Sequence, residues 1–203
     1  MSFKRKLYLS VCIAFCISIL YSIASFADTS KNIREQVLRL HVLANSDSYE
    51  DQQLKLKVRD AVLNAGCSLF NGEAEIENVS EILRDEKEQL ITVAEDVIKE
   101  EGYSYDVDIY LSEEYFTTKT YQTVTLPAGK YLALKVVIGK GEGHNWWCVM
   151  FPPMCITAAD ESKELSAILK ENEVKLVEKN PVFEPRFKII EIFEKLKNRL
   201  SES

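Results

Sequence analysis

Histidine is scarce in this chain, with two residues among 203, and glycine, proline, cysteine and tryptophan number only seven, five, five and two. Two histidines leave little material for metal binding or acid–base chemistry. So few glycines and prolines exclude a collagen-like or low-complexity chain. An excess of positive charge is missing as well: 25 Lys and Arg stand against 32 Asp and Glu, a net charge of -7. Non-specific nucleic-acid binding needs a basic face that releases counterions, so nucleic acid is not an expected partner. What is present is globular: 46% hydrophobic and 28% charged residues. That much apolar surface can bury a core, which excludes wholesale disorder. There is no internal repeat and no linker long enough to divide the chain into two domains.

The first 27 residues differ from the rest. Lys4, Arg5 and Lys6 form a basic start, an almost unbroken apolar run follows from Leu7 to Ile23, and Ala24-Ser25-Phe26-Ala27 closes it with mostly small residues. This is the layout of a secretory signal, with cleavage expected after Ala27. An uncleaved anchor is the rival, because Leu7 to Phe26 is 20 residues, enough to span a bilayer. Under either reading the positive flank stays inside, and residues 28–203 form a single exported domain. Cys12 and Cys16 follow Val11 and Phe15, not the small residue that a lipoprotein cysteine wants. The leader holds three positive charges and no acid, leaving 22 basic against 32 acidic residues beyond it. Such a surface has no charge attraction to anionic lipid, so membrane contact is expected only through the leader.

The exported part reads as α+β: a small mixed or antiparallel sheet with helices packed on it. After a short helix near 30–36, residues 37–43 alternate as a strand, with Leu38, Leu40 and Val42 on one face and Arg39 and His41 on the other. Asn45 to Ser48 make a turn, and Ser48 with Asp51 resembles a capping box opening a helix. Its stripe is Leu54, Val58, Ala61, Val62, Ala65 and Leu69, with Lys55, Arg59 and Asp60 outside. A longer helix is predicted over 76–101, stopped by Gly102. The period then falls to two: a strand around Val107, Ile109 and Leu111, and a hairpin of 120–126 with 131–138 around Pro127-Ala128-Gly129. Ala133 and Val137, apolar on the second face of the last strand, predict a central strand covered on both sides. Two helices, over 161–178 and 187–200, end the chain.

Between hairpin and helices, Gly139 to Cys155 holds both Trp, three of the seven Gly and one of the two His. Its G-x-G-x-G spacing lacks a dinucleotide fingerprint's third glycine, and Trp-Trp-Cys does not open a helix. His144 and Cys148 suggest a cysteine nucleophile with its base. An exported cysteine enzyme, a cell-wall hydrolase or transpeptidase using Cys148 and His144, is therefore the alternative function. Zinc is not expected, because the Cys-x6-Cys spacing fits no common site. The structural reading is a Cys148–Cys155 disulfide, worth about 2.5 kcal/mol by loop entropy. It leaves Cys67 as a packed thiol; pairing of Cys67 with either of the others remains open. What results is a rigidified aromatic loop, with one of Trp146 and Trp147 covering the sheet and the other exposed.

Two segments resemble one family. Arg39-Leu40-His41-Val42-Leu43-Ala44-Asn45-Ser46-Asp47-Ser48, with Asp51 to Asp60 after it, is similar to the first signature of the stage II sporulation protein R family. His144-Asn145-Trp146-Trp147-Cys148 and Phe151-Pro152-Pro153-Met154-Cys155 resemble the second. The resemblance implies an exported sporulation signal, not an enzyme, and no cofactor. Such proteins are made in the forespore, enter the space between the septal membranes, and trigger a membrane-embedded aspartic protease. That protease processes the precursor of the sigma-E factor. Two patches are the expected partner-binding residues: Arg39, His41, Asn45, Asp47 and Asp51, and His144, Asn145, Trp146 and Trp147. Arg39 and His41 gain nothing from capping a helix, so on a strand face they need a partner. Adjacent patches would form one recognition surface.

Overall fold

A computed structural model describes residues 3–70, 76–121 and 124–152, and positions 173, 188, 191 and 192. The element order is α1 (Phe3–Glu35), β1 (Leu38–Leu43), α2 (Tyr49–Leu69), α3 (Ile76–Asp85), α4 (Lys87–Glu100), β2 (Val107–Phe116), β3 (Lys119–Tyr121), β4 (Val124–Leu126), β5 (Gly129–Ile138) and β6 (Asn145–Phe151). The fold is α+β, with a mixed four-stranded sheet in the order β2-β5-β1-β6. The helices expected over 161–178 and 187–200 lie outside the described residues, apart from four isolated helical positions. Cys155 and its expected disulfide with Cys148 also lie outside them.

The alternation of β1 sets the layers. Leu38, Leu40 and Val42 are fully buried and join Leu54, Val58 and Val62 of α2 and Leu90, Ala94 and Ile98 of α4 in one core. Ser48 caps α2, its side chain accepting from the Asp51 N–H at 3.1 Å. Only this half of a capping box forms, because the Asp51 carboxylate turns to Ser46 and Asn45 instead. After α4, Gly102 takes a left-handed φ of 83°, and Tyr103 N–H reaches Ile98 O at 2.9 Å. This is the Schellman closure that favours glycine just past a helix end.

Three predicted elements come out differently. The helix near 30–36 is the end of one helix that begins at Phe3. The helix over 76–101 breaks at Glu86, where the apolar stripe skips from Leu83 to Leu90 and no buried side chain holds the intervening turn. The predicted hairpin does not form as a pair of 120–126 with 131–138. β3 and β4 pair antiparallel with each other, while β5 pairs antiparallel with β2 and parallel with β1. The helices after β1 supply the long crossover that a parallel pair requires. β5 is central, between β2 and β1; on its second face Ala133 is buried and Val137 only partly so.

The other face of β1 carries a buried cation. Arg39 is 1% exposed, and among the described residues no carboxylate pairs with it. Its Nε donates to Cys148 O at 2.9 Å and its Nη2 to the Tyr121 hydroxyl at 2.8 Å. The guanidinium lies 4.3 Å from the Phe116 ring centre, with Tyr131 and Tyr121 at 5.2 and 5.7 Å. Aromatic faces thus stand where a counter-ion would, and Tyr121 ties the β3–β4 hairpin onto the sheet. Filling this box matters more than the charge itself. Arg39→Ala is expected to lower stability by about 3 kcal/mol, and Arg39→Met by less than about half of that. Urea unfolding of the two variants measures the difference; equal losses would contradict it.

Candidate functional site

The site forms where β6 lies antiparallel on β1. His41 stands opposite Trp147, Val42 opposite Trp146 and Leu43 opposite Asn145. Residues 145–151, expected as part of a loop, are therefore an outer strand. Its first three residues are exposed and its last four buried. The two indoles do not divide into one buried and one exposed: Trp146 is 37% and Trp147 41% exposed. They project to opposite faces, since successive strand residues alternate. Trp146 meets Arg59 of α2, whose guanidinium lies 4.4 Å from the ring centre. Trp147 rests against His41 and Phe116, at centroid distances of 5.6 and 6.0 Å.

His41 finds the partner that its strand position demanded. Nδ1 pairs with the Glu114 carboxylate of β2, and Nε2 lies 2.7 Å from Asn145 Oδ1. Both ring nitrogens of His41 are thus engaged. Glu114 also bonds Lys135 of β5 at 3.0 Å. Burial pushes the Glu114 carboxyl up, but Lys135 and His41 outweigh it and hold it below the usual range. Lys135 is held above its usual range: burial pushes down, and Glu114 more than offsets this. A polar chain thus crosses all four strands, with Asn145 at its exposed end.

The second cluster joins the turn after β1 to the loop before β6. Asp51 accepts from Ser46 Oγ at 2.6 Å and Asn45 Nδ2 at 2.9 Å. Asn45 Oδ1 accepts the Lys140 N–H at 3.1 Å, and Asp47 accepts the His144 N–H at 2.6 Å and also pairs with its ring Nδ1. Gly143 N–H donates to Ala44 O at 2.9 Å. A Cβ at Gly143 would come within 2.2 Å of Ser46 O, so only glycine permits this approach. Beneath the turn Lys55 is buried, with Nζ donating to His144 O at 2.8 Å and Gln52 Oε1 at 2.5 Å. That corrects its expected outward position. Burial pushes its amine below the usual range, and the Asp47 charge opposes this only in part.

The structure therefore joins both predicted patches. Arg39, Asn45 and Asp51 hold it together from inside or from part-buried positions, whereas Asp47, His144, Asn145, Trp146 and Trp147 face solvent. Cys148 and His144 are not brought together. Cys148 is buried opposite Leu40, and His144 lies four residues away, about 13 Å along an extended chain, beside Asp47. Glu114, Lys55 and Arg59 belong to the site without having been singled out. The unpaired position of His41 was the one signal pointing to Glu114. Among the described residues no group of three His, Cys, Asp or Glu side chains is placed to hold a metal ion. A cavity of about 530 Å³ lies elsewhere, between the end of α1, α3 and β5, lined by charges of both signs.

Asp51 gives the turn a pH signature. Burial raises its carboxyl, but hydrogen bonds from Ser46, Asn45 and Tyr105 outweigh this and hold it below the usual range. A depressed carboxyl stabilises the fold above its unfolded value of about 3.9, and the effect is lost as pH falls through the folded value. Asp51→Asn is expected to cost about 1–3 kcal/mol at pH 7. The gap to the parent chain should shrink below about pH 4. Urea unfolding at both pH values checks the sign; a gap that widens in acid would contradict it.

A family model described as stage II sporulation protein R matches residues 34–161. A curated relative, stage II sporulation protein R of Bacillus subtilis (strain 168), is 35% identical over 147 residues. The match covers 70% of this chain and 66% of that relative, slightly under two thirds of its length. No solved structure matches. The two signatures that meet at the β1–β6 edge fall inside the matched region, and the chain belongs to the stage II sporulation protein R family.

Proposed function

We propose that this chain is an exported sporulation signal that works by contact. Leaving the forespore, it enters the space between the septal membranes. There it engages the extracytoplasmic face of the membrane-embedded aspartic protease that processes the sigma-E precursor. Family membership supports the sporulation role. The apolar N-terminal helix, long enough to cross a membrane, supports export.

The observation that carries the contact reading is the edge formed by Asn145, Trp146 and Trp147 beside the Asp47–His144 pair. Half-exposed indoles backed by a rigid network suit protein recognition, because their order is already fixed before binding. Trp147 is packed on His41 and Phe116, and Trp146 on Arg59, so neither ring loses much freedom on contact. The polar groups beside them add directionality.

The test is sigma-E precursor processing in a sporulating strain that depends on this chain. Trp147→Ala and Trp146→Ala are each expected to reduce processing at least about tenfold, the loss typical of an interface anchor. Both variants should accumulate at the parent level. Lys87→Ala, on α4 away from this edge, should process normally. Full processing by both tryptophan variants, with normal accumulation, would overturn the assignment.

A further inference from the structure

Among the described residues, α2, α3 and α4 pack on one face of the sheet. On the second face the pairing register lines up one row straight across all four strands. Tyr110 stands opposite Lys135, Lys135 opposite His41, and His41 opposite Trp147. Three strand spacings put Tyr110 about 14 Å from Trp147. The ends of the row stand out, with Tyr110 43% and Trp147 41% exposed, and its middle is low, with His41 buried and Lys135 half-buried. Contacts run the whole way. The Lys135 amine lies 5.8 Å from the Tyr110 ring centre, Glu114 joins Lys135 to His41, and His41 meets Trp147. Both flanks of the row are raised. On one side a Cβ at Gly141 would lie 2.7 Å from Val137 Cγ1 and 3.8 Å from Leu43, so the loop rests on that end of the face. On the other side Phe116 and Tyr121 close over Arg39. What stays open is a narrow band across the strands with an aromatic ring at each end.

We propose that this band binds a neutral, linear glycan, with the backbone of a cell wall as its source. The ladder uses the backbone N–H and C=O groups inside a sheet, so a ligand on its face is read by side chains alone. An extended peptide pairs with a sheet edge instead. Sugar rings present flat C–H faces that stack on aromatic rings, and a rim of hydroxyls that both donate and accept. The two ends of the band supply the rings, each apolar in its body and held in place. Glu114, Lys135, Asp108 and Asn145 supply the polar partners. Asp108 is exposed beside Tyr110, and Asn145 is exposed beside Trp147. One end of the Asn145 amide meets His41, and among the described residues the other end has no partner. Charge separates neutral from charged polymers. Glu114 and Lys135 balance each other within the band. Beyond the leader 32 acidic residues stand against 22 basic ones, a surplus that repels an anionic polymer. The polar groups are fixed before any ligand arrives, which lowers the cost of binding. The choice of a wall as source rests on the export proposed above, since that polymer lies outside the cytoplasm; the geometry of the band does not depend on it.

The test uses the full-length chain in a detergent without a sugar headgroup. The probe is a β-1,4-linked N-acetylglucosamine hexamer, and binding is followed by broadening of its proton signals as protein is added. The parent chain is expected to bind. Tyr110→Ala and Trp147→Ala are each expected to weaken binding about tenfold, and Tyr110→Phe, which keeps the ring, to stay within about twofold. Near-UV circular dichroism checks that each variant keeps the fold. No binding by the folded parent chain overturns the proposal, as does binding that both alanine variants leave unchanged. Tighter binding of polyglutamate than of the hexamer overturns it as well. Tyr110→Ala separates this inference from the signalling reading, in which Tyr110 has no part. Weakened hexamer binding supports the glycan whether or not sigma-E processing survives. Unchanged hexamer binding with lost processing gives the face to a protein partner and overturns the glycan.

Discussion

When β6 lies antiparallel along β1, residues 104 positions apart, His41 and Asn145, come within hydrogen-bond distance. Two stretches that are separate in the chain become one edge of the sheet. The backbone ladder sets the register, and everything polar at the site depends on that register. A slip by one residue would turn Trp147 towards the helices and take Asn145 away from His41. Side-chain contacts guard against such a slip on both faces. Arg39 holds the Cys148 carbonyl on one side, and Arg59 covers Trp146 on the other. The turn and the glycine loop close the open end of the pair.

Charge is placed economically around this pairing. A lone charge inside a protein is costly. The Glu114 carboxylate is held between Lys135 and the His41 ring. Arg39 is treated differently, among three aromatic rings and two oxygen acceptors. Both solutions rigidify the strand beneath the exposed indoles. They do so with residues that an inspection for surface chemistry would assign to binding. Arg39 and Asp51 are buried, so their part is to hold that surface in place.

Local pattern made much of this legible. The alternation of β1 showed which residues face the core. Ser48 marked the start of α2, Gly102 marked the end of α4, and the apolar stripe gave the buried face of α2. Pairing was harder to read, because strand neighbours are set by contacts between distant segments. The segments 120–126 and 131–138 are adjacent in sequence, but β5 gains more by inserting between β2 and β1, where both of its edges are paired. Residues 145–151 looked like a loop because glycines precede them and prolines follow. Their own content, Trp-Trp-Cys-Val-Met-Phe, favours a strand. Lys55 read as a solvent residue from its charge; burial became tolerable only because the His144 carbonyl, from a remote loop, lands on its amine. Glu114 likewise sat in a strand of alternating polar residues, with nothing local to separate it from Glu113.

Family membership sets the chain in sporulation. Under the proposed signalling role, contact needs a surface whose shape is fixed in advance, which the stitched β1–β6 edge would offer. Site-specific photocrosslinking in sporulating cells tests this most directly, with the photoreactive residue placed at position 147 or, as a control, at position 85, the last residue of α3. The account predicts a crosslink from position 147 to the sigma-E-processing protease and none from position 85. Crosslinking from position 85 alone, while position 147 stays silent in a fully active chain, would contradict it.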